Sequence, residues 1–179
     1  MGLMKKNLST PRADLPRQGL TLPLGLRLAP TSPAFLAPHS VLDWAWSREM
    51  NRSEDWLGQA ERDLEFARTA ASTGHHEWAA FIAQQSAEKA VKALVHSLHG
   101  SVRGHAITEI LRLLPPSAGV SQEILVSAQA LDKVYVTSRY PNGFASGRPA
   151  DYFSEKDSQE LLDHAGRILE FCRSKIPRP

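Results

Sequence analysis

The sequence predicts an all-α fold, an antiparallel up-and-down bundle of four long helices plus one short helix. Three observations support this fold class. Apolar residues recur at spacings of three and four over most of residues 51–176. The same region shows no sustained alternation of apolar and polar residues and no hairpin turn between β-branched runs. The connections between the periodic segments are of modest length, as expected for antiparallel neighbours.

Caps and breakers set the bounds of the predicted helices. Ser53 is the expected N-cap of the first helix, and Ser154, followed by Asp157, opens the last helix with a capping box. The prolines at 115 and 116 end the short third helix. The predicted helices cover about residues 54–73, 76–98, 106–114, 121–139 and 154–175.

The first 50 residues do not follow this pattern. Six of the twelve prolines fall within residues 1–49, and no helical or strand period survives there. This density of proline indicates an irregular or disordered N-terminal extension. Translation starting at Met50 is one interpretation of this leader, and a genuine flexible arm is the alternative. We assign the helical bundle domain to residues 51–176 and a tail to residues 177–179.

Composition narrows the classes of function. Residues 50–179 carry fifteen Lys/Arg and sixteen Asp/Glu, so any binding of phosphate by this region must be local. Cys172 is the single cysteine, which excludes an intramolecular disulfide and favours a reducing, cytoplasmic compartment. No run of eighteen apolar residues occurs, and we expect no membrane association.

Polar residues interrupt the apolar stripe of the second helix. Gln84 and Glu88 occupy positions on the same face as Phe81, where apolar residues are expected. A carboxylate in a packed seam is costly unless a cation meets it. We expect that cation to be Arg139 at the end of the fourth helix, with Asp132 as a competing or additional partner.

Two other interpretations of these residues remain open. The cluster of Gln84, Glu88, Asp132 and Arg139 could serve only to fix the register of the bundle. Alternatively, Glu88 pairs with Lys92 at i+4 on a solvated face.

The stretch SRYPNG (138–143) closes the fourth helix, whose inward stripe includes Tyr135. An arginine in the last turn followed by proline is typical of helix termination. The functional hypothesis is that the rigid turn at SRYPNG holds Arg139 in position to bind an anion. A guanidinium is suited to this role, because it can bind a carboxylate and a phosphate at the same time. Arg139 and Tyr140 are the catalytic candidates. The ligand-binding candidates are Arg139, Tyr140, Asn142, Gln85, Lys89, Lys92, His105 and Arg148.

Three segments together resemble the HEPN domain family: AAFIAQQSAEKAVKAL, HAITEILRLL and LDKVYVTSRYPNG. The resemblance covers about residues 51–175 and points to the SRYP-type, nucleotidyltransferase-associated members. It implies a helical bundle that usually dimerises, with the ends of the two fourth helices at a shared cleft. It also implies a minimal nucleotidyltransferase partner and a toxin–antitoxin or RNA-defence system. Many members are metal-independent ribonucleases, and others bind nucleotides without cutting RNA.

The sequence departs from the ribonuclease members of this family at one point. Those members carry a histidine that is separated from the arginine by four to six intervening residues, where this chain has Phe144, Ala145 and Ser146. RNA cleavage requires a group that takes the 2′-hydroxyl proton. Tyr140 is a poor substitute because tyrosine normally keeps its proton at neutral pH. His105 is the best remaining acid/base candidate, and capping of the third helix is its alternative role.

We predict neither a metal nor another cofactor. His96 and His99 have a spacing compatible with zinc, but no further ligands can be placed near them, and His75 and His76 lie in a turn. The favoured function is a dimeric module that binds a nucleotide or RNA phosphate and acts with a nucleotidyltransferase partner. The alternatives are a metal-independent ribonuclease and a non-catalytic structural dimerisation subunit.

Overall fold

The computed structural model describes residues 52–177 of the chain, and this part contains helices and no strand. The all-α prediction is therefore confirmed. The predicted extension, residues 1–50, lies outside the described residues, as do the last two residues. The α-helices are α1 (Ser53–Ser72), α2 (His76–Ser97), α3 (Ile107–Arg112), α4 (Gln122–Asp132), α5 (Val134–Thr137) and α6 (Glu155–Lys175). Single 3₁₀ turns cover Pro116–Ala118, Pro141–Gly143 and Pro149–Asp151.

The two predicted N-caps differ in outcome. Ser154 caps α6 with the expected capping box, since its hydroxyl accepts from the Asp157 N–H and the Asp157 carboxylate accepts from the Ser154 N–H at 2.8 Å. The prediction for α1 is wrong by one residue. Ser53 is already helical, and Arg52 precedes it as the N-cap residue.

The fourth predicted helix is divided between α4 and α5. Lys133 interrupts the helical assignment but keeps right-handed helical dihedrals, with φ −63° and ψ −30°. The chain therefore passes from α4 into α5 without leaving helical conformation. It leaves the helix after Ser138, and Tyr140 adopts an extended conformation before Pro141.

Side-chain hydrogen bonds join the long helices to one another. The Ser86 hydroxyl on α2 donates to the Ala60 carbonyl on α1 at 2.7 Å, and the short link between these helices makes them antiparallel. The Ser127 hydroxyl on α4 lies 3.1 Å from His164 Nδ1 on α6. Both contacts join helices that pack against each other in the bundle.

Helix α2 lies at the centre of the domain and packs against both α1 and α6. Its small side chains let these neighbours approach closely. On α6, Cys172 is fully buried, and burial raises the pKa of its thiol. None of the helices between residues 52 and 177 has the length and hydropathy needed to cross a bilayer. The fully buried alanines of α2 are Ala79, Ala80, Ala83, Ala87, Ala90 and Ala93.

Candidate anion-binding site

Glu88 lies on the buried face of α2, but its cation is Lys92 and not Arg139. Lys92 Nζ lies 2.7 Å from Glu88 Oε1, and the two side chains are only 13% and 6% exposed. Within residues 52–177, Arg139 makes neither a hydrogen bond nor an ion pair with Glu88. The predicted Glu88–Arg139 pair is therefore wrong. The i+4 alternative forms instead, in a largely buried position and not on a solvated face.

Three further side chains meet the carboxylate of Glu88. Gln84 and Gln85 donate from Nε2 to Glu88 Oε2 at 3.3 and 3.2 Å. His105 Nδ1 lies 3.2 Å from both carboxylate oxygens. Gln84 also donates to the His105 carbonyl at 3.1 Å, which ties the loop before α3 to α2. We call these five residues, including Lys92, the Glu88 cluster.

The Glu88 cluster keeps its carboxylate ionised. Burial alone raises the pKa of Glu88, but the hydrogen bond and charge of Lys92, followed by those of His105, outweigh it. The net pKa lies below the ordinary value of 4.5. With an ionised carboxylate beside it, Nδ1 of His105 carries a proton and donates. In the neutral ring Nε2 is then the acceptor, and it has no hydrogen-bond partner among the described residues.

Asp132 has a different role from the one predicted. Its carboxylate accepts from the backbone N–H groups of Ile107 and Thr108 at 2.7 and 3.0 Å, so it caps the start of α3 from another helix. It is not a partner of Arg139. The alternative in which His105 caps α3 is also wrong, because Asp132 does so and the His105 ring faces Glu88.

Arg139 is held by its own helix and by aromatic rings. Its Nε donates to the Tyr135 carbonyl at 2.9 Å. The guanidinium carbon lies 4.4, 4.5 and 5.0 Å from the ring centroids of Phe81, Tyr135 and Tyr140. Such cation–π contacts restrain a guanidinium without neutralising its charge. Its two terminal amino groups make no hydrogen bond to any residue in 52–177. We call these four residues the Arg139 corner.

Tyr135 joins the Arg139 corner to the Glu88 cluster. Its ring stacks on His105 with a centroid distance of 4.7 Å and an interplanar angle of 16°. The same ring lies 4.5 Å from the guanidinium carbon of Arg139. One aromatic side chain therefore contacts both the imidazole and the guanidinium. Sequence reasoning placed Phe81 and Tyr135 only in apolar stripes, because nothing in their spacing indicates contact with a cation.

Of the three remaining predicted ligand residues, two form ion pairs away from Arg139 and one is exposed close to it in sequence. Lys89 pairs with Asp63 of α1 at 2.7 Å and so joins two helices. Arg148 is 78% exposed and pairs with Asp151, whose pKa is lowered by hydrogen bonds from the Arg148 side chain and backbone. Asn142 is exposed in the 3₁₀ turn that follows Tyr140. Lys89 and Arg148 are thus engaged elsewhere, whereas Asn142 stays close to the corner in sequence.

No group of three or more His, Cys, Asp and Glu side chains within residues 52–177 is arranged to hold a metal ion. His96, one of the two histidines with zinc-like spacing, stacks instead on Trp56 at a centroid distance of 5.7 Å. The polar groups that converge are those of the Glu88 cluster and the Arg139 corner. Their chemistry is that of a guanidinium with unused donors beside an oriented imidazole.

Comparison with known proteins identifies the family. The sequence model of the HEPN domain matches residues 53–175, the whole helical bundle.

The chain belongs to the HEPN domain family.

Two solved structures are similar to this HEPN domain over most of its length. One, "ST0689, an archaeal HEPN homologue", is 44% identical, with coverage of 72% of this chain and 100% of that chain and a TM-score of 0.61. The other, TT1696 from Thermus thermophilus, is 37% identical, with coverage of 70% and 99% and a TM-score of 0.69. Both matches support the helical bundle.

A further relative of this HEPN domain carries a functional name. It is the protein "Putative toxin MJ1304" of Methanocaldococcus jannaschii, which is 26% identical over 128 residues. The match covers 66% of this chain and 84% of that protein.

Proposed function

We propose that this HEPN protein binds a nucleotide or RNA by its phosphate at Arg139. One observation carries the proposal: the guanidinium is held in place, yet its terminal amino groups have no hydrogen-bond partner among residues 52–177. A guanidinium presents paired donors that fit two oxygens of a phosphate, and such charge-assisted bonds are the strong ones. Tyr140, half exposed beside Arg139, is a further candidate contact for the ligand. Asn142, exposed three residues after Arg139, is another candidate.

We propose, more widely, that the protein is a cytoplasmic homodimer that acts with a minimal nucleotidyltransferase in a toxin–antitoxin or defence-like system. Family membership and the relative named as a toxin support this role. Sedimentation of the purified protein tests the dimer, whose mass would be twice the 19.8 kDa of the chain. Co-purification with the nucleotidyltransferase encoded nearest to it tests the partner.

Calorimetric titration with AMP and with a short single-stranded RNA tests the phosphate site. We expect Arg139→Ala to weaken both affinities by about 10- to 150-fold, the value of a hydrogen bond to a charged group. Arg139→Lys keeps the charge but loses the planar fork, and should recover only part of the affinity. Arg62→Ala is the matched control, because Arg62 is an exposed arginine that pairs, within residues 52–177, only with Glu65 on the same helix. Equal affinities of wild type and Arg139→Ala would reject the site.

The position of His105 favours a second candidate function, metal-independent RNA cleavage. Glu88 accepts from Nδ1 and so leaves Nε2 as the atom that can take the 2′-hydroxyl proton. Arg139, in contact with the same tyrosine ring, would stabilise the charged phosphorane. Tyr140 remains the alternative base that the sequence suggested.

RNA incubation in EDTA decides this second candidate. Cleavage by the wild type that is lost in His105→Ala and in Arg139→Ala, but kept in Tyr140→Phe, would support the pairing of His105 with Arg139. If cleavage is lost in Tyr140→Phe but retained in His105→Ala, the proton transfer is assigned to Tyr140. Absence of cleavage by the wild type would leave phosphate binding as the function.

A further inference from the structure

Aromatic rings continue on both sides of the Arg139 corner. Trp78 meets Phe81 edge to face at a centroid distance of 6.2 Å, and Phe81 lies 6.4 Å from Tyr135. Tyr135 in turn stacks on His105. These four side chains, which we call the aromatic row, run from the first turn of α2 to the loop before α3. Arg139 contacts the two middle rings.

Packing of the core does not account for the two ends of the aromatic row. Trp78 is 49% exposed, and the side chain of His105 is 56% exposed. The two middle rings are partly buried, and Arg139 lies over both of them. Two half-exposed rings on either side of a cation with unused donors form a surface suited to planar ligands that carry negative charge.

We propose that the aromatic row and Arg139 bind unpaired nucleotides of single-stranded RNA, with a phosphate at Arg139 and neighbouring bases stacked on Trp78 and His105. This inference rests on the proposed phosphate site and adds the class of ligand. Bases in a duplex already stack on one another and cannot cover protein rings, whereas unpaired bases can. The surface therefore selects an oligonucleotide over a mononucleotide and a single strand over a duplex.

The charges around the aromatic row are compatible with a polyanion. The carboxylate of Glu88, next to His105, is already paired with Lys92. Among the described residues Arg139 has no acidic partner, so a phosphate does not have to displace a carboxylate. Charge thus favours RNA over an apolar protein segment on this surface.

The test compares three ligands by fluorescence anisotropy or calorimetry: AMP, a single-stranded oligoadenylate of about eight nucleotides, and a blunt-ended RNA duplex. We expect the wild type to bind the oligoadenylate more tightly than AMP or the duplex. Trp78→Ala should weaken oligoadenylate binding by about 5- to 150-fold, the effect of removing one stacked base, and weaken AMP binding less, because a single base can stack on only one of the two rings. Trp78→Phe keeps a ring and should retain most of the affinity. Leu113→Ala, at a more exposed apolar side chain, is the control.

Failure of this inference and failure of the phosphate site give different results. If AMP binding requires Arg139 but Trp78→Ala leaves oligoadenylate affinity intact, the phosphate site stands and the stacking surface is rejected. If neither ligand responds to Arg139→Ala, the phosphate site itself falls. A change from dimer to monomer in Trp78→Ala, with oligoadenylate affinity unchanged, would assign the row to a subunit interface and overturn the inference.

Discussion

Among single residues, Glu88 shows most clearly how the neighbours of a buried charge determine its behaviour. Its carboxylate lies in the seam of α2 with Lys92 one turn away and His105 opposite. The pKa of Glu88 is lowered although burial acts in the opposite direction, because the two basic side chains contribute more. The ionic interactions of this cluster therefore contribute to the free energy of unfolding only while Glu88 is ionised.

Replacement of Glu88 by glutamine tests this conclusion. Glu88→Gln keeps the shape but leaves Lys92 without its counter-ion, and we expect a loss of about 1–3 kcal/mol in the free energy of unfolding at pH 7. Because the folded pKa is below the ordinary value, the carboxylate stabilises the fold above about pH 4.5. That contribution is lost as the pH falls through the folded pKa. Denaturant unfolding at pH 7 and at a pH below 4.5 should show the wild-type advantage shrinking in acid.

Glu109→Gln provides the control for this measurement. Glu109 is 70% exposed and pairs with Arg112 on the short helix α3, where an ion pair contributes little. We expect its effect to stay within about 0.5 kcal/mol at both pH values. If the two variants lose equal stability, the Glu88 cluster has no special role in the fold.

Sequence reasoning located the polar residues of the site but chose the wrong pairing. The period of α2 places Gln84 and Glu88 on its buried face, and both are buried. The choice of Arg139 as the cation was wrong, because a periodic pattern specifies a face and not the reach of a long side chain. Arg139 Nε is satisfied by the Tyr135 carbonyl of its own helix, while Lys92 is only one turn from Glu88.

At the scale of secondary-structure elements, the position of α3 depends on a carboxylate from another helix. α3 has six residues, too few for an isolated helix in water. Asp132, at the end of α4, accepts from the first N–H groups of α3 and fixes the loop that carries His105. Formation of this short helix and the position of the His105 imidazole thus both depend on Asp132.

Removal of this cap tests the link. Asp132→Ala should cost about 1–2 kcal/mol of stability, the usual value of a lost N-cap. Asp132→Asn keeps one acceptor oxygen and should cost less. Hydrogen exchange should show faster exchange of the amides of Ile107 and Thr108 in the alanine variant. Unchanged exchange there would show that α3 is held by packing alone.

The close approach of helices to α2 leads to a second prediction at this scale. Ala87 is fully buried at the centre of the domain. Ala87→Leu should lower the free energy of unfolding by about 1–3 kcal/mol, because the added carbons force neighbouring helices apart. Ala145→Leu, the same substitution at an exposed loop position, should be nearly neutral in the same denaturation assay. Tolerance of leucine at position 87 would contradict tight packing along α2.

Helix bounds followed from sequence better than the contacts between helices did. The capping box at Ser154 and the breakers after α3 are local signals, and they marked the ends of these helices to within about two residues. The capping of α3 by Asp132 spans 24 and 25 residues of sequence and has no local pattern. Such long-range hydrogen bonds depend on how the bundle packs.

For the molecule as a whole, the HEPN match and the described core coincide. The match covers residues 53–175, and the buried apolar residues of the structure run from Ala60 to Ile176. We therefore expect a protein that starts at Met50 to fold by itself. It should keep the circular dichroism of a helical protein, and its unfolding should be a single cooperative transition. Loss of helical signal in this shorter protein would contradict the domain assignment.

Arg139 is held by groups of its own subunit that carry no negative charge, and this affects how ligand binding should depend on salt concentration. The arginine is restrained by a carbonyl one turn back in its own helix. An arriving ligand therefore meets no acidic side chain from residues 52–177 that competes for the same donors. The ionic-strength dependence of association should then reflect only the counterions shed by the ligand. A double-logarithmic plot of binding constant against salt concentration would count those phosphates directly.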